Sequence, residues 1–314
     1  MLPHIDDYLL HLQAGNYSSR TLYNYERDLR VFENFLKESG FDFVNLSKRD
    51  ITYYKAYLAS RDRATATGDR GDVETLDARS VNRMLSAVRS YFRYLIDMDY
   101  PCSLEPQAVK LTKTTRAHPQ VAELEALTAL VEAPSYMESD ERIAIRNRAI
   151  MEVLFATGMR ISEVCTLRRK DIDGTGRIFI TGKGRKQRFV YLTDRAKHHV
   201  DNYLAIRNDD APALFVPYAG RNVNSPRRRI STNYVQDRIK RYREKLRINV
   251  PTSAHSIRHG FATYLAEQGA NPAALQILLG HESLHTTTRY VHASDRYAEE
   301  TQRKYHPRSR VSGD

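Results

Sequence analysis

The chain has 314 residues, 41% of them hydrophobic, and a formal net charge of +11. That length predicts two domains and a core large enough to need no disulfide or metal staple. Two cysteines, Cys102 and Cys165, are too few for a disulfide framework or a four-ligand zinc site, which fits a reducing compartment. The opening Met1–Asp7 lacks the basic and then apolar stretch of a secretory leader. No apolar run approaches the roughly 20 residues of a membrane span, so a soluble cytoplasmic protein is expected. Charge is unevenly spread. Residues 1–115 carry 16 basic and 16 acidic side chains, whereas residues 116–314 carry 33 and 22. The second part therefore suits a polyanion, either nucleic acid or an anionic membrane surface.

Helical periodicity begins after Ser18 and Ser19, either of which can cap the helix. Leu22, Tyr25, Leu29, Phe32 and Leu36 follow at a spacing of three to four. A shorter helix is predicted over 51–58. A strong one runs over 80–95, with Leu85, Val88, Phe92 and Leu95 on one face. Arg83, Arg89 and Arg93 lie off that face, where they suit either solvent or a DNA backbone. Residues 62–77 show no period and hold two glycines, which predicts a flexible surface insertion. Residues 100–118 combine Pro101 and Pro106 with Lys110, Lys113 and Arg116, and read as an extended basic linker. The predicted organisation is a helical domain over 1–99, this linker, and a second domain over 119–314.

The second domain opens with predicted helices at 120–132 and 142–156, the latter stopped by Gly158. Arg160 follows that glycine, and Glu163 stands three residues on, close enough to orient it. Strand-like runs Arg177–Thr181 and Gln187–Leu192 flank Gly182-Lys183-Gly184-Arg185-Lys186, which predicts a hairpin with Lys183 near its tip. A later helix places Val235, Ile239, Tyr242 and Leu246 inward, and Arg238 and Arg241 on its other face. His255 and Arg258 share one face near a helix start, where backbone N–H groups and the helix dipole favour an anion. Asn271-Pro272 starts a short helix and Gly280 ends it. His281 is next, and Tyr290 comes nine residues later. Each of these features alone suits an ordinary capped helix, ion pair or polar turn.

Taken in order, the chain reads TGMRISE, GKGRK, HSIRH, LLGH and then Tyr290. This order and spacing resemble the tyrosine recombinases, the integrase-type family that includes the Xer recombinases and phage integrases. The resemblance covers nearly the whole chain. It implies a mainly α fold with a small β-hairpin (α+β), in which a helical core-binding domain and a larger catalytic domain close on DNA as a C-shaped clamp. It also implies site-specific recombination through a Holliday junction. Arg160 and Arg258 would hold the non-bridging oxygens of the scissile phosphate. Lys183 would protonate the leaving 5′ oxygen. His255 would act as acid and base, His281 as a hydrogen-bond donor to the phosphate, Glu163 as support and Tyr290 as nucleophile. Arg83, Arg89, Arg93, Lys110, Lys113, Arg185, Lys186, Arg238 and Arg241 are further candidates for contact with double-stranded DNA.

The same resemblance implies no cofactor and no metal. The tail from Ala293 to His306 reads as a short amphipathic helix, and the resemblance implies that it links four protomers around paired sites, either of this chain alone or with a related recombinase. The 62–77 insertion and Ile257, where leucine is frequent, depart from the family pattern. No arm-binding domain is expected before Met1, an expectation that favours a Xer-like or simple mobile-element recombinase. The competing readings are a type IB topoisomerase, a silent DNA-binding regulator and a metal-dependent nuclease using His255, His259 and His281.

Overall fold

The structure is a computed structural model, and it describes residues 2–61, 63–69, 75–113, 122–181, 187–225 and 228–280. The chain divides into two compact units, Met1–His118 and Pro119–Asp314. Both are helical, with one two-stranded antiparallel sheet among the described residues. The expected mainly α fold with a small hairpin is the one observed.

The first unit is built from α1 (Ile5–Ala14), α2 (Ser19–Ser39), α3 (Lys48–Ala59) and α4 (Ala78–Asp97). Side-chain caps explain where three of them start. Ser18 accepts from the Thr21 N–H, Ser47 forms a reciprocal capping box with Asp50, and Asp77 accepts from the Ser80 N–H. Gly40 ends α2 in the left-handed conformation. The predicted apolar stripes of α2 and α4 meet: Leu29, Phe32, Leu85, Val88, Phe92 and Leu95 are buried together with Tyr54 and Leu58 of α3. The first helix, α1, has no side-chain cap and buries only Tyr8 and Leu12, so its sequence signal is faint.

Two segments differ from the expectation of loose chain. Within 62–77, Ala64 is buried and its N–H donates to the Tyr57 hydroxyl at 2.8 Å. The Asn34 side chain donates to the Thr65 carbonyl at 2.9 Å, so residues 63–69 are anchored rather than free. Residues 100–113 also pack on the first unit. Leu104, Pro106 and Val109 are buried, and the Asn82 side chain pairs with both backbone groups of Thr112 at 2.7 and 2.9 Å. A short polar or proline-rich stretch can still bury a few apolar side chains when the neighbouring helix supplies partners for its backbone.

The second unit is arranged around α7 (Glu141–Thr157). Packed with it are α5 (Leu124–Glu132), α6 (Pro134–Met137), α8 (Ile161–Thr166), α9 (Asp194–Ala205) and α11 (Ala254–Glu267). Strands β1 (Arg177–Thr181) and β2 (Gln187–Tyr191) pair in register Ile178 to Val190 and Ile180 to Arg188. α10 (Thr232–Lys245) and α12 (Pro272–Leu279) complete the unit. Helix α7 is covered on nearly every side, so even its charged residues Arg146, Arg148 and Glu152 are buried. They are paired as burial demands. Arg148 donates to Glu152 at 2.8 Å, and Arg146 donates to the Val216 carbonyl at 3.0 Å with its guanidinium over the rings of Tyr218 and Tyr234.

At the C-terminal end of α7, Gly158 has φ +58°, and a Cβ there would lie 2.4 Å from the Phe261 ring of α11. Gly40 has φ +66° and open space around it. Gly40→Ala should therefore cost only the left-handed strain, about 1 kcal/mol. Gly158→Ala should cost that plus overpacking, about 2–4 kcal/mol in all. Urea unfolding of the two variants checks this, and equal losses would contradict the close approach.

Candidate active site

Arginine cannot cap a helix through its side chain, because it has donors and no acceptor. Arg160 nonetheless occupies the N-cap of α8, and Glu163 of the first turn does the work instead. The Glu163 carboxylate accepts from the Arg160 backbone N–H at 2.8 Å and from its Nη1 at 3.1 Å. The Arg160 side chain remains 37% exposed, while Glu163 is buried. The turn at Gly158 thus aims Arg160 toward solvent, and a buried carboxylate holds its base.

Arg258 lies in the first turns of α11, and Ser253 caps that helix by accepting from the Ser256 N–H. Its guanidinium is buried. Nη1 donates to the Gly158 carbonyl at 2.7 Å and Nη2 to the Leu279 carbonyl at 2.5 Å. Both acceptors belong to helix C-terminal turns, where carbonyls lack intrahelical partners and the dipole favours a cation. Arg160 Nη2 reaches the next carbonyl, that of Gly280, at 3.3 Å. Gly280 closes α12 with φ +63°, after Asn271 has capped its start. The sequence elements TGMRISE, HSIRH and LLG therefore meet at one place, the end of α12.

His255 stands one turn before Arg258 and is exposed. Its Nε2 lies 2.9 Å from the Nε2 of His259, so one nitrogen carries the hydrogen and the other accepts. Partial desolvation, followed by the positive charges of Arg258 and Arg160, lowers the His255 pKa below its ordinary 6.5. Burial alone would raise the Glu163 pKa. The Arg188 hydrogen bonds, the Arg160 N–H and both guanidinium charges outweigh burial and hold it below the usual carboxylate value.

Sequence reasoning missed Arg188. It lies on the inward face of β2, 6% exposed, and forks onto both oxygens of Glu163 at 3.0 and 2.7 Å. Its Nε donates to the Leu278 carbonyl at 2.9 Å. The signal was available: Arg188 alternates with buried Val190, so the hydrophobic period of the strand carries a charge to the core side.

The remaining candidates fall in three groups. Lys183, Arg185, Lys186, His281 and Tyr290 lie outside the described residues. Arg93, Lys110, Lys113 and Arg241 are exposed. Arg83, Arg89 and Arg238 have partners within the fold. Arg83 pairs with buried Asp28, Arg89 Nε donates to the Pro106 carbonyl at 3.2 Å, and Arg238 pairs with Glu138 at 3.3 Å. Among the described residues no group of three acidic, histidine or cysteine side chains forms a metal site, and no helix is long and apolar enough to cross a membrane.

Residues 121–296 match the Phage integrase family, and residues 5–98 match the phage integrase N-terminal SAM-like domain. The chain is similar to Tyrosine recombinase XerC of Pediococcus pentosaceus, with 32% identity over 93% of this chain and 94% of the relative. It is similar to Tyrosine recombinase XerC of Thermodesulfovibrio yellowstonii at 32% identity over 98% and 97%. Among solved structures, a lambda integrase fragment in a dimer bound to a COC′ core site shares the fold. The TM-score is 0.69 at 17% identity, covering 93% of this chain and 94% of that one.

The depressed His255 pKa has a definite sign. The folded chain binds this proton less readily than the unfolded chain does. His255 is thus neutral near pH 7, and it subtracts stability as pH falls below about 6.5. An imidazole NMR titration, assigned with His255→Gln, should place its midpoint below 6.5 and move it upward when DNA phosphate is added. A free-protein midpoint above 6.5 would contradict the electrostatics described.

Proposed function

Because this chain belongs to the phage integrase family and is a tyrosine-type site-specific DNA recombinase, we propose that it breaks and rejoins DNA through a covalent bond to Tyr290. The observation that carries this reading is the meeting of Arg160 and Arg258 at the end of α12, with His255 one turn before Arg258 and within reach of both positive charges. The chain continues directly from that point to His281 and Tyr290.

Phosphoryl transfer demands positive, preorganised donors around three equatorial oxygens, with attacking and leaving groups in line. Guanidinium forks match phosphate geometry, and Arg160 at the exposed rim with Arg258 on the floor would hold the non-bridging oxygens. The Tyr290 oxygen attacks phosphorus, and the bond from phosphorus to the 5′ oxygen breaks. A phenol of pKa about 10 needs help losing its proton, and His255, neutral near pH 7, is suited to accept it. Lys183 gives a proton to the departing 5′ oxygen, and His281 donates a hydrogen bond to the phosphate. The products are a 3′-phosphotyrosine and a free 5′ hydroxyl. The link retains the phosphodiester energy, so rejoining needs neither ATP nor a divalent metal. A second 5′ hydroxyl attacking the same link exchanges strands and passes through a Holliday junction.

Exposed Arg93, Lys110, Lys113 and Arg241, with Arg185 and Lys186, extend the contact with duplex DNA along its backbone. The domain assignment follows the same reading: a core-binding domain over 1–99, a connector over 100–118 and a catalytic domain over 119–314. The working assembly is four protomers on two paired sites, of this chain alone or with a related recombinase. A chromosomal or mobile-element DNA substrate places the protein in the cytoplasm.

A randomised library of nicked duplexes, captured covalently on the wild-type chain, supplies the substrate for the test. Wild type should form the adduct in EDTA, and Tyr290→Phe should bind the duplex without forming it. An adduct on Tyr290→Phe, or its loss in EDTA, overturns this reading. Duplex affinity should also fall steeply between about 50 and 200 mM salt, because much of it is phosphate neutralisation. A flat salt response would point to another kind of partner.

A further inference from the structure

We propose that Arg188 is a positioning residue of the cleavage step. It fixes Arg160 through Glu163, and it fixes the end of α12 through Leu278. The inference rests on the recombinase reading above and adds a residue to it.

Three observations point the same way. First, Arg188 engages Glu163 in the stronger geometry. Its two Nη atoms fork onto both carboxylate oxygens at 3.0 and 2.7 Å, whereas the Arg160 side chain reaches one oxygen at 3.1 Å. Glu163 is 8% exposed, so burial opposes its charge. Without Arg188, one half-exposed guanidinium and a backbone N–H would be left to hold it. Second, Arg188 Nε donates to the Leu278 carbonyl at 2.9 Å, so the side chain that sets Glu163 also sets α12. Third, the Arg188 side chain fills the space beside Gly280 that a Cβ would need. A Cβ there would meet Arg188 Nη1 at 3.0 Å and Cζ at 3.2 Å.

The other arginines cannot take over this role. Arg258 is engaged with the carbonyls of Gly158 and Leu279. Arg160 is the group being positioned, and its exposed end must face the phosphate. A fully apolar residue at position 188 would satisfy β2 but leave a buried carboxylate with too few donors. Lysine keeps the charge and loses the planar fork, so Arg188→Lys separates charge from geometry.

The test uses the full chain and the captured nicked duplex. Single-turnover adduct formation is measured at saturating DNA for wild type, Arg188→Lys, Glu163→Gln and the double variant, with duplex affinity and melting temperature alongside. Arg188→Lys should slow adduct formation by about 10- to 100-fold, the scale of a small misplacement of a catalytic group. Duplex affinity should stay close to that of wild type. The double variant should be little slower than the slower single variant, because both changes remove one shared constraint. A rate for Arg188→Lys within about twofold of wild type overturns the proposal, as do additive losses. A slowing matched by an equal loss of duplex affinity also overturns it, since that is a structural defect. No adduct on the wild-type chain defeats the recombinase reading and this inference together. A normal wild-type adduct with an unaffected Arg188→Lys defeats this inference alone.

Discussion

Three guanidinium groups converge on the last carbonyls of one short helix. The Leu278, Leu279 and Gly280 carbonyls accept from Arg188, Arg258 and Arg160 respectively. These carbonyls have no partners within α12 and carry the negative end of its dipole. The helix end therefore draws cations together that would otherwise repel. Among the described residues, Glu163 is the carboxylate paired with Arg160 and Arg188. Among these described groups three guanidinium cations face one carboxylate.

The rest of the second unit keeps that helix end in place. Helix α7 runs through the interior, and its buried charges are held both within the helix and by other elements. Glu152 accepts from Arg148 and from Arg195 of α9, while Arg146 lies between two tyrosine rings. Such pairs contribute little net stability, because desolvation offsets attraction, but losing one partner is costly. Their consequence is a fixed axis whose C-terminal turn presents Gly158 to Arg258 and Phe261. The position of Arg160, two residues later, follows from that turn.

Much of the fold was legible because its signals are local. Ser18 and Asn271 cap helices, and Gly158 and Gly280 end them. The apolar stripes of α2 and α4 are regular, and the strands alternate. The proposed site residues were read as a set through their order and spacing, and the structure brings Arg160, Glu163 and Arg258 together. Arg188 was not among them, because its meaning depends on Glu163 and Leu278, 25 and 90 residues away. The same limit applies to residues 63–69 and 100–113. Their composition is that of free chain, and side chains of neighbouring helices, among them Tyr57, Asn34, Asn82 and Arg89, tie them down. Arg83 likewise reads as a surface charge until Asp28, 55 residues earlier, is found beneath it.

The carbonyl seat at the end of α12 has a consequence for anyone transplanting this chemistry. Five motifs could be grafted onto another helical scaffold with their spacing intact. The graft would carry the proposed phosphate ligands but not the helix terminus that collects the arginines, nor the strand arginine that braces it. Backbone oxygens have no residue identity, so no alignment of side chains would reveal the omission. A functional transplant would have to move α12 as a rigid part, with its glycine stop and the room that glycine leaves for Arg188.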